Sequence, residues 1–296
     1  MNDGKVRILV PPGIGDIYWV LVKLRAFLKR EGITGRPEIT AVSYEMPDGI
    51  HLRGTHYLKL FDWLDIADPP TVPNDPELQP IWDEAYSGPG RSIFPGVMGF
   101  DYFIAYNGRI NSGGLIEDDD LACDWDIHKL DLEARAAQWK ESIGGRYAVH
   151  FWPFYGSYAS HLEQFGLDDI VASIKGMPEM KHVFIGAAWE RELNPIVFEM
   201  MRRMPGCIDL IGETELLGTL QLMAGADLIV GYHAGMTNLA AALGMKTVLI
   251  WDDRYPESTS IACVPPKTRG TNYIPVQAKG LTRTKLTNIL CEHLKS

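Results

Sequence analysis

Asp16 has a type and a position suited to proton chemistry. Residues 6–10 form a β-branched, apolar run that predicts a buried strand, and the Pro- and Gly-rich residues 11–15 cannot continue it. Apolar residues at helical spacing begin at Ile17, with Lys23 on the predicted polar side. Asp16 should therefore lie at or beside the N-cap of a helix, where a carboxylate caps the helix, faces a ligand, or does both. The helix dipole is expected to depress its pKa.

A second strand-turn-helix pattern lies in residues 227–251, which read DLIVGYHAGMTNLAAALGMKTVLIW. We predict a strand over 228–230, a small-residue turn over 231–235, a helix that Gly244 ends, and a second strand over 247–251. The free backbone N–H groups at such a helix start can bind phosphate, and Gly235 would let a ligand approach the backbone closely. An ordinary buried β-α-β unit with a tight turn is the alternative interpretation.

The rest of the chain supplies elements that could position both turns. Strands at 147–151, 182–186 and 208–211 alternate with helices at 166–176, 190–203 and 214–225, which predicts a parallel α/β sheet. Gly144 and Gly145 suggest a domain boundary, giving domains over 1–143 and 144–296. A helix within 281–296 is predicted to pack back on the N-terminal domain.

Composition limits the class of protein. A formal net charge of −10 argues against a dedicated nucleic-acid binder. The absence of a long apolar run and of a signal peptide in the sequence indicates no transmembrane segment and predicts a cytoplasmic protein. Four widely spaced cysteines are expected to be reduced thiols. The acidic run at 117–120 is interpreted as a solvated loop, so no metal is expected.

The two patterns together resemble glycosyltransferase family 9, the ADP-heptose:lipopolysaccharide heptosyltransferases. Gly15–Asp16 resembles the family's Gly-Asp before the first helix, and residues 208–251 match its C-terminal pattern in order and spacing. The resemblance implies an α/β GT-B fold, with two Rossmann-like domains facing across a cleft. This sequence departs from the family at three positions of the second turn, and residues 150–165 contain no Lys, which the family usually has there. The three residues that replace the family's Asp, Thr and His are His233, Ala234 and Asn238.

The resemblance also implies an activity and a set of site residues. It implies an inverting, metal-independent hexosyl- or heptosyltransferase that needs no cofactor. Such an enzyme moves a sugar from a nucleotide diphospho-sugar to an acceptor hydroxyl, favouring a glycan or lipopolysaccharide. Asp16 would be the catalytic base, and Arg254 or a protonated His233 would give cationic help to the leaving diphosphate. The expected donor-binding residues are Gly15, Glu190, Thr214, His233, Ala234, Gly235, Met236, Thr237, Asn238 and Arg254.

Other functions stay open on the sequence alone. The acceptor could be a hydroxylated nucleobase in DNA, although the negative net charge does not favour nucleic acid. A GT-B sugar-nucleotide epimerase or hydrolase would turn over donor without acceptor. A non-catalytic sugar-nucleotide-binding protein would lack the base, which the retention of Asp16 argues against. A dinucleotide dehydrogenase is disfavoured because residues 11–16 read PPGIGD rather than GxGxxG.

Overall fold

The structure is a computed structural model. It describes the chain except for residues 1–4, 47–48, 68–74, 88–92, 106–131, 153–166, 178–179, 194, 254, 256, 263, 265–271 and 296. The chain forms two compact units, Met1–Lys129 and Leu130–Ser296. In the part of the chain that is described, no helix is long and apolar enough to cross a lipid bilayer.

The N-terminal unit is built on one mainly parallel sheet. Its elements are β1 (Arg7–Val10), α1 (Ile14–Arg30), β2 (Glu38–Ala41), β3 (Tyr44–Met46), β4 (Gly49–His51), α2 (Arg53–Leu58), β5 (Asp65–Ile66), α3 (Leu78–Ser87), β6 (Ile93–Pro95) and β7 (Tyr102–Ile104). The strand order is β5-β2-β1-β7-β6, and only the β6–β7 pair is antiparallel. β3 and β4 form a separate antiparallel hairpin. The sheet therefore centres on β1, the strand that Asp16 follows.

α1 differs from its sequence-based prediction in two respects. It begins at Ile14 rather than Ile17, with Gly13 at the N-cap. Every residue from Ile17 to Leu24 is buried, including Lys23 at 2% exposure, so the prediction that Lys23 lies on a solvated face is wrong. The physical reason is that this part of the helix is packed on all sides. Polar residues with access to solvent begin only at Arg25.

The C-terminal unit contains a six-stranded parallel sheet. Its elements are α4 (Leu132–Ile143), β8 (Tyr147–Phe151), α5 (Leu167–Lys175), β9 (Lys181–Ile185), α6 (Glu190–Leu193), α7 (Pro195–Arg202), β10 (Cys207–Asp209), α8 (Leu216–Ala224), β11 (Leu228–Tyr232), α9 (Gly235–Ala242), β12 (Thr247–Trp251), α10 (Glu257–Ala262), β13 (Tyr273–Gln277) and α11 (Arg283–Lys295). The strand order is β10-β9-β8-β11-β12-β13. Numbered along this unit, that order is 3-2-1-4-5-6, the order of a Rossmann fold.

Two helical segments of this unit differ from the sequence-based expectations. The single helix predicted over 190–203 is two helices, because Pro195 is suited to the first turn of a new helix rather than to a helix interior. α4, which the predicted boundary left in the first domain, packs against α8 and belongs to the C-terminal unit. α11 packs against α5 of the same unit, where the Thr287 hydroxyl donates to the Ser173 carbonyl at 3.2 Å.

Candidate active site

Asp16 lies in the first turn of α1, directly after the carboxyl end of β1. Since Gly13 is the N-cap, Asp16 is the third residue of the helix and not the cap itself. Of the two positions expected, at or beside the N-cap, the structure therefore places Asp16 beside it, in the first turn of the helix. Its neighbour Gly15, a predicted donor-binding residue, is partly exposed in the same turn.

The environment of Asp16 favours the protonated carboxyl group. Desolvation by burial raises the pKa of Asp16 to about 7, and the positive charge of Arg53 partly opposes this. The residue as a whole keeps some contact with solvent, so the desolvation arises from protein atoms packed around the carboxyl group. The expectation of a depressed pKa is wrong, because a helix dipole contributes only about 0.3–1 kcal/mol at a surface site and desolvation is larger here.

Arg53 reaches this site through close packing of α2. A Cβ built on Gly54 would lie 2.9 Å from the Pro12 carbonyl oxygen and 3.0 Å from Cδ1 of Ile17. Only glycine therefore lets α2 contact the turn after β1, and Arg53 begins that helix. Sequence reasoning did not identify Arg53, since no local periodicity connects it with Asp16. A single glycine beside an arginine was the only signal.

The second turn is shorter than the sequence indicated. β11 continues through Gly231 and Tyr232, so only His233 and Ala234 separate it from α9. Ala234 is the N-cap, and its backbone N–H donates to the Thr237 hydroxyl oxygen at 3.1 Å. The same hydroxyl lies 2.9 Å from the carbonyl oxygens of Tyr232 and Ala234. The Thr237 hydroxyl therefore bonds to backbone groups at the start of the helix. These hydrogen bonds do not use the backbone N–H of Thr237, which stays available to a ligand.

The first turn of α9 presents backbone donors rather than acidic groups. The backbone N–H of Asn238 donates to the Ala234 carbonyl at 2.9 Å, so the preceding N–H groups of Gly235, Met236 and Thr237 come before the first intrahelical bond. No acidic residue lies in this turn. The turn follows β11 where the sheet order reverses beside β8, the place where ligands bind in open α/β sheets.

Aromatic packing fixes the orientation of His233. Its ring stacks on Trp251, with centroids 3.8 Å apart and an interplanar angle of 19°, and meets Tyr255 edge-on at 5.3 Å. Its backbone N–H donates to the Ile250 carbonyl at 3.0 Å. His233 is 5% exposed, and Asn238 is fully buried. His233 is therefore a packed side chain of the second turn rather than an exposed loop residue.

The other predicted donor-binding residues lie in several places. Thr214 lies before α8, and its hydroxyl is 2.7 Å from that of Thr219. Glu190 begins α6, after the carboxyl end of β9. Arg254 lies outside the described residues.

Metal-binding groups and free thiols are two further features that the sequence raised. Among the described residues, no group of three or more His, Cys, Asp or Glu side chains is arranged to hold a metal ion. The acidic run at 117–120 lies outside them. Cys207 and Cys291 are free thiols, while the other two cysteines are also outside the described part of the chain.

Comparison with known proteins gives one family match and several structural neighbours. Residues 180–280 match the model of glycosyltransferase family 9 (heptosyltransferase). This range includes β9 to β13, and so contains the second turn. No curated protein matches the sequence significantly.

The solved structures that resemble the chain are distant in sequence. The ADP-heptose lps heptosyltransferase II of E. coli is 14% identical with a TM-score of 0.59, covering 98% of each chain. A family 9 glycosyl transferase from Veillonella parvula is 12% identical with a TM-score of 0.59, covering 100% of this chain and 98% of its own. A UDP-GlcNAc 2-epimerase from Neisseria meningitidis is 13% identical with a TM-score of 0.52, covering 98% of this chain and 93% of its own. At these identities the likeness concerns the fold.

Proposed function

Because the chain is a glycosyltransferase family 9-like protein with a GT-B fold, we propose that it is an inverting, metal-independent transferase. In this proposal it moves a sugar from a nucleotide diphospho-sugar to the hydroxyl of a glycan or lipopolysaccharide-type acceptor. Asp16 is the base, and the first turn of α9 binds the leaving diphosphate. The match over residues 180–280 supports the nucleotide-sugar chemistry, and the two turns support the assignment of roles.

In the proposed reaction, the acceptor hydroxyl, Asp16 and the nucleotide diphosphate each have one role in the bond changes. The acceptor oxygen attacks the anomeric carbon from the side opposite the diphosphate, so configuration inverts. The acceptor O–H proton passes to the Asp16 carboxylate. The bond between the anomeric carbon and the phosphate oxygen breaks, and its electron pair leaves with the nucleotide diphosphate.

The observation that carries the proposal is the raised pKa of Asp16. A carboxyl group with a pKa of about 7 is about half ionised at neutral pH, and its conjugate base is strong enough to accept a hydroxyl proton as the attack proceeds. A helix-capping carboxylate would be stabilised in its charged form, and its pKa would be low. Asp16 has the opposite property, which supports a role as base.

The diphosphate role of α9 rests on its backbone donors. The N–H groups of Gly235, Met236 and Thr237 are fixed at the positive end of the helix. Fixed dipoles of this kind stabilise charge that develops on a leaving group without having to reorganise. The burial of these residues strengthens such interactions, because local water is limited.

The proposal is tested by Asp16→Asn, after a thermal-shift screen of ADP-, UDP-, GDP- and CDP-sugars has identified the donor. We expect transfer to fall at least a hundredfold while the donor still binds, as removal of a general base requires. Glu133→Gln is a matched control, because Glu133 is an exposed carboxylate in the first turn of α4. Near-normal turnover by Asp16→Asn would reject Asp16 as the base. Loss of transfer after removal of metal with EDTA would reject metal independence.

A further inference from the structure

A cavity lies in the C-terminal unit, at the edge of the sheet where the strands begin. Its volume is about 570 Å³, and it is formed by segments that precede β8 and β10, by the start of β9 and by the end of α5. The second turn follows the carboxyl end of β11, at the opposite edge of the same sheet. The diphosphate site proposed at the second turn and this cavity therefore lie at opposite edges of the sheet.

Apolar side chains form much of the cavity wall. Ile174 and Met204 are buried in the hydrophobic core of the unit, while Met177 and Met180 are half-buried and pack against that core. Methionine side chains are flexible and polarisable, so they adapt to apolar ligands of varied shape. The volume also falls within the range of about 300–1,000 Å³ that is common for small-molecule sites.

Cationic side chains line the same cavity. Arg146, Lys175 and Lys181 all contribute to it. Among the residues that the structure describes, the carboxylate paired with them is that of Asp227, which lies 3.3 Å from Nε of Arg146. The Lys181 ammonium donates a hydrogen bond to the Ile143 carbonyl, whereas Lys175 is exposed. Neither lysine is in an ion pair with a residue that the structure describes. The cavity therefore carries an excess of positive charge in a chain whose net charge is −10.

His182 adds a polar group to the wall of the cavity. Its Nδ1 is 3.1 Å from Nε2 of the fully buried His150. Burial lowers the pKa of His182 to about 4 and holds that of His150 well below its usual value, so both rings are neutral near pH 7. When His150 donates to His182, the proton of His182 is on Nε2, and that N–H can donate to an anion.

We propose that this cavity binds a small amphiphilic anion, with its head group held by Lys175, Lys181 and His182 and its apolar chain packed on the methionines. A plain inorganic anion would leave the apolar wall uncovered, and a neutral amphiphile would leave the excess positive charge of the cavity uncompensated. The combination of the two surfaces favours a ligand that has both properties, such as an alkyl phosphate or a fatty acid.

Calorimetry with octyl phosphate, below its micellar concentration, tests the proposal on the full chain. We expect saturable binding of one molecule per chain, at least tenfold tighter than that of inorganic phosphate or of octyl glucoside. Equal binding of octyl glucoside would overturn the role of the cations, and equal binding of inorganic phosphate would overturn the role of the apolar wall. This readout needs no transferase activity, so failure of the proposed function would not affect it.

Two variants locate the ligand in the cavity. Lys175→Glu should weaken octyl phosphate binding at least tenfold, whereas Lys285→Glu, an exposed lysine on α11 away from the cavity, should leave it unchanged. Met177→Gln should weaken octyl phosphate binding but leave inorganic phosphate binding as it was. Equal effects of the two lysine variants, in protein with a normal melting temperature, would overturn the proposal.

A further arm distinguishes the source of the ligand. Binding to phosphatidylglycerol vesicles that is lost in Lys175→Glu would support a membrane lipid. Binding of monomeric octyl phosphate without vesicle binding would support a free metabolite. Both results support the amphiphile site, and absence of binding in both arms would overturn it.

Discussion

The two strand-turn-helix segments place different chemical groups at similar positions. After β1, the first turn of α1 carries a carboxylate whose pKa is raised to about 7. After β11, the first turn of α9 carries no acidic residue and is closed by the Thr237 hydroxyl. Both turns follow the carboxyl end of a parallel strand at the centre of its sheet.

The difference shows how one local structure can present two kinds of chemical group. A helix start favours negative charge, so a bare turn is suited to a phosphate group. A carboxylate in the same place is usually stabilised as an anion and becomes a poor base. At Asp16, desolvation outweighs the effect of the helix dipole and of Arg53, and the carboxyl group keeps its proton to near neutral pH.

We expect the largest effect from Gly235→Val, which changes the second turn. If the diphosphate lies against the backbone of α9, the added side chain should weaken nucleotide-sugar binding well over tenfold, or about 1.4 kcal/mol or more. Calorimetry with the donor measures this, and circular dichroism checks the fold. Unchanged donor affinity in a folded variant would make the second turn purely structural.

Gly54→Ala should disturb the first turn and leave the second alone. The new methyl group would meet the Pro12 carbonyl and the Ala41 side chain, both 2.9 Å from the added Cβ. We expect a loss of about 1 kcal/mol in the free energy of unfolding, with reduced kcat and unchanged donor affinity. Gly35→Ala is the matched control, since nothing lies within 4 Å of its added Cβ. Equal stability of the two variants would contradict the close packing of α2.

Arg53→Gln should have the smallest effect, which should be confined to the pH dependence of kcat/KM. Arg53 lowers the pKa of Asp16, so its removal should raise that pKa further and move the acid limb of the kcat/KM profile to higher pH, by up to about one unit. The rate above that limb should change little. A shift to lower pH would show that Arg53 does not act on Asp16 through its charge.

The alternation of strands and helices in the sequence predicted the fold class, and the structure with its structural neighbours confirms it. The family that the two motifs resemble is also the one whose model matches residues 180–280. The alternation of strands and helices in the C-terminal half was enough to predict a parallel sheet. Local detail was less accessible. The helix start at Ile14 and the burial of Lys23 depend on packing from distant segments, which periodicity does not contain.

The site was predictable only where its residues are close in sequence. Asp16 and Gly235 each stand in a recognisable turn, but their roles stay proposals. Arg53 affects Asp16 through a tertiary contact, and the raised pKa depends on atoms that pack around the carboxyl group. Intrinsic preferences of an aspartate at a helix start predicted the opposite shift, because they contain no desolvation.

The stability of the N-terminal unit in Asp16→Asn tests the central claim most directly. It can be measured from hydrogen exchange of the α1 amides under mild denaturant. Because the folded pKa of about 7 exceeds the unfolded value of 3.8, wild-type stability should fall as pH rises between these values, by up to about 1.4 kcal/mol per unit. The asparagine variant has no such titration, so it should equal or exceed the wild type at pH 8, and its relative stability should decline toward pH 4. A variant less stable by about 1 kcal/mol at pH 8, with the deficit shrinking toward pH 4, would instead identify Asp16 as a helix-stabilising carboxylate.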